Sequence, residues 1–151
     1  MNNSNSISKR NLTSQFKPEY SKPNVIVVFS PNFNAIKNTQ SNHEKFLFRN
    51  PICNPITFID EHKAFVNCLN NNGLEIINIS EKVLSNELER KLCKMPNMIF
   101  VRDSVLFTPF GALILNMGTI ERGEEPIIMS QALQNEGIKI WDHVPKEITL
   151  E

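Results

Sequence analysis

Apolar residues along this chain switch between the period of a strand and the period of a helix. Residues 24–30, NVIVVFS, form a β-branched apolar run closed by Pro31 and predict a buried strand. The next stretch, 31–55, is rich in Asn, Pro and aromatic residues and reads as a loop. The segment ITFIDEHKAFVNCLNNNG, 56–73, places Phe58, Ile59, His62, Phe65, Val66 and Leu69 at helical spacing, with Gly73 as the stop residue. LEIINI, 74–79, alternates apolar and polar positions and predicts a second strand.

The same order recurs 64 residues later. In IIMSQALQNEGIKIWDH, 127–143, Met129 matches Phe65, Leu133 matches Leu69 and Gly137 matches Gly73, while Ile138 and Ile140 match Leu74 and Ile76. A helix, a glycine stop and an alternating strand thus occur twice, as an internal duplication or as the ordinary alternation of an α/β fold. Between the copies, VLSNELERKLC, 83–93, sets Leu84, Leu88 and Leu92 on one helical stripe. MPNMIFVRDSVLFTPFGALIL follows at 95–115. Its MIFV and SVLFT read as strands on either side of Arg102 and Asp103, PFG at 109–111 as a turn, and ALILNM as the return strand. EITLE, 147–151, reads as the opening of one more strand, whose backbone groups call for further chain to pair with.

Composition narrows the function classes. The 151 residues fit one ordinary domain. At 40% hydrophobic and 21% charged, the chain can bury a core. Sixteen basic and sixteen acidic residues cancel, which argues against nucleic acid or an anionic membrane as partner. No apolar run approaches the roughly 18 residues of a membrane helix. Cys53, Cys68 and Cys93 are odd in number and lack a CxxC pair, so they argue for a reducing, cytoplasmic setting and against a disulfide framework or zinc ribbon. His43, His62 and His143 show no metal-ligand spacing. Residues 1–22 are Ser-rich, poor in acid and without the apolar core of a signal peptide. A transit peptide and a disordered cytosolic tail both fit them; the tail is the reading adopted, with 23–151 as the domain.

FIDEHKAFVNCLNNNGLEI, MPNMIFVRDSVLFTPFGALIL and IERGEEP, in that order, resemble the amino-terminal half of the guanidine-modifying superfamily. Its members include arginine deiminase, the dimethylarginine dimethylaminohydrolases and the glycine amidinotransferases. PN-x-x-F-x-RD is the most specific element, and the similarity runs from about Asn24 onward. The resemblance implies an α/β fold of the pentein-like kind: a propeller of five ββαβ modules, mixed sheets inside and helices outside. This chain would hold about two of the five modules, near 23–80 and 95–151, in keeping with the repeat.

The resemblance also gives the charged pair a purpose. A guanidinium is a flat cation, and one carboxylate can hold two of its N–H groups. In the family the aspartate of this motif is one of two carboxylates that orient the substrate guanidinium, and Asp103 matches it. Phe100 matches the aromatic residue that packs on the guanidinium plane, where a ring face favours cations. Arg102 is the accompanying arginine, assigned to holding the loop. Glu151 stands where the second carboxylate's acidic-Gly-Gly-Asp motif begins. Arg122 fits the position where some members hold the substrate carboxylate. A structural salt bridge is the alternative for Asp103, and a solvated loop arginine for Arg122. FLFRNP, 46–51, resembles the lid-proximal loop, but Arg49 stands where arginine deiminases have an acid, which counts against free arginine as substrate.

The family chemistry needs a cysteine that attacks the guanidinium carbon and a histidine that moves protons, through a covalent amidino intermediate. Neither lies within the part matched here. Cys68 and Cys93 read as core residues, Cys53 as a loop cysteine without a basic partner, and His62 as a core histidine. The expectation is an incomplete enzyme, a deiminase-like hydrolase or an amidinotransferase, inactive alone and needing no metal or organic cofactor. Its expected partners are a guanidine small molecule such as arginine and a carboxy-terminal half chain. The rival is a non-catalytic guanidine-binding or scaffold protein on the same fold. Two modules would leave sheet edges open, so the isolated chain is expected to associate.

Overall fold

The β-branched run at the start of the domain forms strand β1, Val25–Val28, which pairs in parallel with β2, Glu75–Asn78. The computed structural model that shows this describes residues 21–145 and 147, except 53 and 84. Parallel strands need a crossover, and here it carries two helices, α1 at Phe33–Asn42 and α2 at Pro55–Asn71. Both helices start the same way. Oδ1 of Asn32 accepts from the backbone N–H groups of Asn34 and Ala35, and Oδ1 of Asn54 from those of Ile56 and Thr57. Each asparagine thereby satisfies donors that a helix start leaves unpaired. Helix α2 stops where predicted, with Gly73 at φ +77.

Helix α1 corrects the reading of 31–55 as loop. Only Ala35, Ile36 and Thr39 of it are buried, too few apolar positions among asparagines to show a helical period. A second correction concerns MIFV. Instead of a strand, Pro96–Ile99 is a 3₁₀ turn and Val101–Ser104 a single helical turn, α4. A short apolar run carries no period that separates strand from helix, and Pro96 at the first helical position favours the helix.

From there the chain builds a ββαβ unit. Strand β3, Val105–Thr108, forms an antiparallel hairpin with β4, Gly111–Ile114; helix α5, Glu125–Asn135, then crosses to β5, Ile140–His143, parallel to β4. Gly111 is obligatory in the hairpin: its φ is +138, and a Cβ there would lie 2.7 Å from the carbonyl oxygen of Lys139. Gly137, at φ +84, ends α5 as Gly73 ends α2. The repeat at offset 64 is therefore present as helix, left-handed glycine and parallel strand. Its copies differ in burial, since Met129 and Leu133 are wholly enclosed while Phe65 is exposed and Leu69 half-buried.

One core joins the two sheets. Ile128, Met129, Ala132 and Leu133 of α5 pack with Val105, Ala112 and Ile114 of its sheet, with Phe29 and Ile77 beside the first sheet, and with Met98. Helix α3, Asn86–Leu92, adds Leu88 and Leu92; Leu84, the third member of that stripe, lies outside the described residues. The architecture is α/β, with helices packed on two small sheets, neither of which closes among the described residues. No helix among them is long and apolar enough to cross a membrane.

Candidate functional site

The backbone from 96 to 104 explains how two charges fit into so apolar a stretch. Phe100 N–H donates to the carbonyl of Asn97 and Asp103 N–H to that of Phe100, both at 2.9 Å. Turns closed over three residues bring side chains at i and i+3 to the same side. Val101 and Ser104 are buried in the core, while Phe100, Arg102 and Asp103 are exposed. The Asp103 side chain is 45% exposed and Phe100 44%. A carboxylate and an aromatic ring are presented together, one turn apart, at the entrance to β3.

A second loop borders them. The Phe48 ring lies 6.3 Å from that of Phe100, centroid to centroid, and Nδ2 of Asn97 donates to the carbonyl of Phe46 at 3.0 Å. The 3₁₀ turn His43–Phe46 lies next to the 3₁₀ turn Ile120–Arg122. Leu47 closes the former at φ +61, a left-handed conformation that costs a residue with a Cβ about 1 kcal/mol.

Arg122 completes the site from beneath. Its Nε donates to Glu125 Oε1 and Oε2 at 3.1 and 3.0 Å, and its Nη2 to Glu125 Oε2 at 2.9 Å. The same Nη2 donates to Asp103 Oδ2 at 3.0 Å. Arg122 is 9% exposed and Glu125 not at all, so the solvated loop arginine is excluded. The salt bridge considered for Asp103 is present, with Arg122 as its partner. Asp103 Oδ1 accepts no hydrogen bond among the described residues. Burial pushes the Glu125 carboxyl up, and the opposing pull of Arg122 does not cancel it. Burial acts to lower the Arg122 value, but the hydrogen bonds and charges of Glu125 and Asp103 together hold it above that of an ordinary arginine. Two carboxylates around one guanidinium leave a surplus of one negative charge.

Three of the four expected site residues, Phe100, Asp103 and Arg122, thus converge on one edge of the ββαβ unit. The fourth, Glu151, lies outside the described residues. Glu125 was not singled out in the sequence, although its spacing of three from Arg122 at a helix start, inside IERGEEP, is the signal for such a pair. Asn97 Oδ1, Ser104 Oγ and Thr119 Oγ1 are buried without a hydrogen-bond partner among the described residues, and they flank these residues in sequence.

The cysteines and histidines fall elsewhere. Cys68 is exposed, not core, because α2 has no buried residue and packs by one side only. Cys93 is half-buried, its sulfur 3.5 Å from the carbonyl of Glu89; Cys53 lies outside the described residues. His62 is half-buried at the surface with its ring edge-on to Phe65, and burial lowers its pKa. Among the described residues no group of three His, Cys, Asp or Glu is placed to hold a metal ion. No family model, curated protein or solved structure matches the chain.

Proposed function

We propose that this chain is the guanidinium-binding, amino-terminal part of a guanidine-modifying enzyme, most like an arginine deiminase or amidinohydrolase. The observation that carries the reading is the exposure of Asp103 and Phe100 within one turn, with Asp103 Oδ1 accepting no hydrogen bond among the described residues and Asp103, Arg122 and Glu125 together carrying one negative charge. A ligand guanidinium would donate to the carboxylate and lay its plane against the ring. The ββαβ unit supports the reading, since the resemblance implies a propeller of such modules. In this reading Arg122 positions Asp103 and does not hold the substrate carboxylate, since Glu125 and Asp103 occupy its Nε and Nη2.

The reaction would be hydrolysis of a guanidinium C–N bond. A cysteine thiolate attacks the central carbon, an amine or ammonia leaves, and water releases the urea product from the covalent intermediate. Asp103 fixes the electrophile for that attack. Cys68 and Cys93 contact Asn72 and Glu89, and in this reading nucleophile and proton carrier are supplied from outside this site. The test is to incubate the chain with arginine and simple alkylguanidines, alone and with a polypeptide that supplies a cysteine and a histidine. Binding alone, and release of ammonia or amine only in the mixture, supports the reading. Absence of binding overturns it.

The binding-protein alternative has its own support, because a chain guanidinium already occupies one oxygen of Asp103. It predicts saturable guanidine binding and no turnover in any mixture.

A further inference from the structure

Glu125 stands behind Arg122 as seen from the exposed carboxylate, wholly buried, and holds Arg122 through three of the four side-chain hydrogen bonds that Arg122 makes among the described residues. We propose that Glu125 is a positioning residue that sets the charge of the guanidinium site, neutralising Arg122 so that Asp103 keeps a full negative charge for an external guanidinium. The inference rests on the reading of Asp103 as the ligand's carboxylate.

Arg122 and Asp103 by themselves form a neutral pair, and a neutral pair has little attraction for a second cation. With Glu125 the group of three carries one negative charge. Geometry adds to this. Arg122 keeps both Nε hydrogen bonds and one from Nη2 on Glu125 if its single bond to Asp103 opens. An incoming guanidinium can therefore take both oxygens of Asp103 while Arg122 stays in place, buried and still paired. Without Glu125, the same exchange would strand a buried arginine with no anion, which is strongly unfavourable. Glu125 thus permits Asp103 to pass from the internal guanidinium to the external one.

The test uses the full chain and methylguanidinium as probe, with methylurea as the neutral control, followed by NMR titration. Glu125→Gln keeps the shape and removes the charge; its affinity for methylguanidinium is expected to fall on the order of tenfold, the scale of one nearby unit charge at a protein surface. The double variant Arg122→Met with Glu125→Met removes both buried charges and leaves Asp103 its own. It is expected to bind methylguanidinium more tightly than Glu125→Gln, as the net charge is restored, but more weakly than the wild type, in which Arg122 positions Asp103. In the wild type the Arg122 Nε–H is expected to stay protected when the ligand saturates, a readout that needs no variant to fold.

Unchanged binding by Glu125→Gln overturns this inference and leaves the Asp103 reading standing. So does a loss that the double variant does not recover, which would make Glu125 a structural support only, or a loss of Nε–H protection on binding. Absence of any binding by the wild type overturns the Asp103 reading, and the inference with it.

Discussion

Replacing Arg122 by methionine leaves the buried Glu125 carboxylate without its cation. The pair is held by three contacts of 2.9–3.1 Å, and Glu125 is fully enclosed. Removing one partner of such a pair costs about 3–5 kcal/mol, because the remaining charge is desolvated and unpaired. The bond to Asp103 adds at most about 1 kcal/mol, since that side chain is nearly half exposed. Against a total stability of about 5–15 kcal/mol, the loss is a fifth at least and most of it at the low end. With a urea m-value of about 2 kcal/mol/M, the denaturation midpoint moves down by roughly 2 M. The cost depends on pH, with a definite sign. Burial already raises the folded-state pKa of Glu125. A carboxyl raised in this way binds its proton more tightly folded than unfolded, so stability is highest below the unfolded value and falls as pH rises through the folded one. Loss of Arg122 removes the interactions that hold the value down, so the variant falls more steeply. Urea denaturation followed by circular dichroism at about pH 4.5 and pH 8 should show a clearly smaller penalty in acid. Arg122→Met with Glu125→Met should recover most of it. A penalty under about 1 kcal/mol, or one equal at both pH values, would refute the argument.

Leu133, fully buried on α5, should lose about 2–5 kcal/mol on truncation to alanine, while Ile127 on the same helix, 60% exposed, should change by less than about 0.5 kcal/mol; equal effects in thermal melts would contradict the assigned faces. Gly111→Ala must push a Cβ against the Lys139 carbonyl and part β4 from β5, whereas Gly73→Ala meets nothing within 4 Å and carries only the left-handed strain of about 1 kcal/mol. Comparing the two variants by hydrogen exchange of the β5 amides separates these costs; protection retained in Gly111→Ala would count against the register. Leu47→Gly relieves a left-handed leucine that is 70% exposed. It should therefore leave stability unchanged or raise it by up to about 1 kcal/mol, glycine's added freedom in the unfolded chain offsetting part of the gain; a clear loss in the melting temperature would show that Leu47 packs.

Strong periodicity was legible and weak periodicity was not. Val25–Val28, helix α2, the stops at Gly73 and Gly137, and the alternation into β2 and β5 follow from local pattern, and the chain obeys them. Helix α1 escaped because its inward face is three residues long and because Asn32, its cap, is one asparagine among many in this chain. MIFV misled because four consecutive apolar residues fit a strand and a tight turn equally. Its turn spans Phe100 to Asp103, so the local misreading concerned the very residues of the site. The convergence of Asp103 with Arg122 required tertiary structure, since 19 residues and a hairpin separate them. Glu125 required it too: the spacing from Arg122 is visible in IERGEEP, but the burial that makes the pair consequential is not.

The central claim is that Asp103 and Phe100 bind a guanidinium. Its most direct measurement is an amide NMR titration of the chain with arginine against citrulline, the same skeleton with a neutral urea in place of the cation. The account predicts saturable shifts centred on Phe100–Asp103 with arginine or a smaller alkylguanidine, little with citrulline, and loss of the response in Asp103→Asn. Equal shifts from citrulline, no saturation with any guanidine, or a response that survives Asp103→Asn would contradict it.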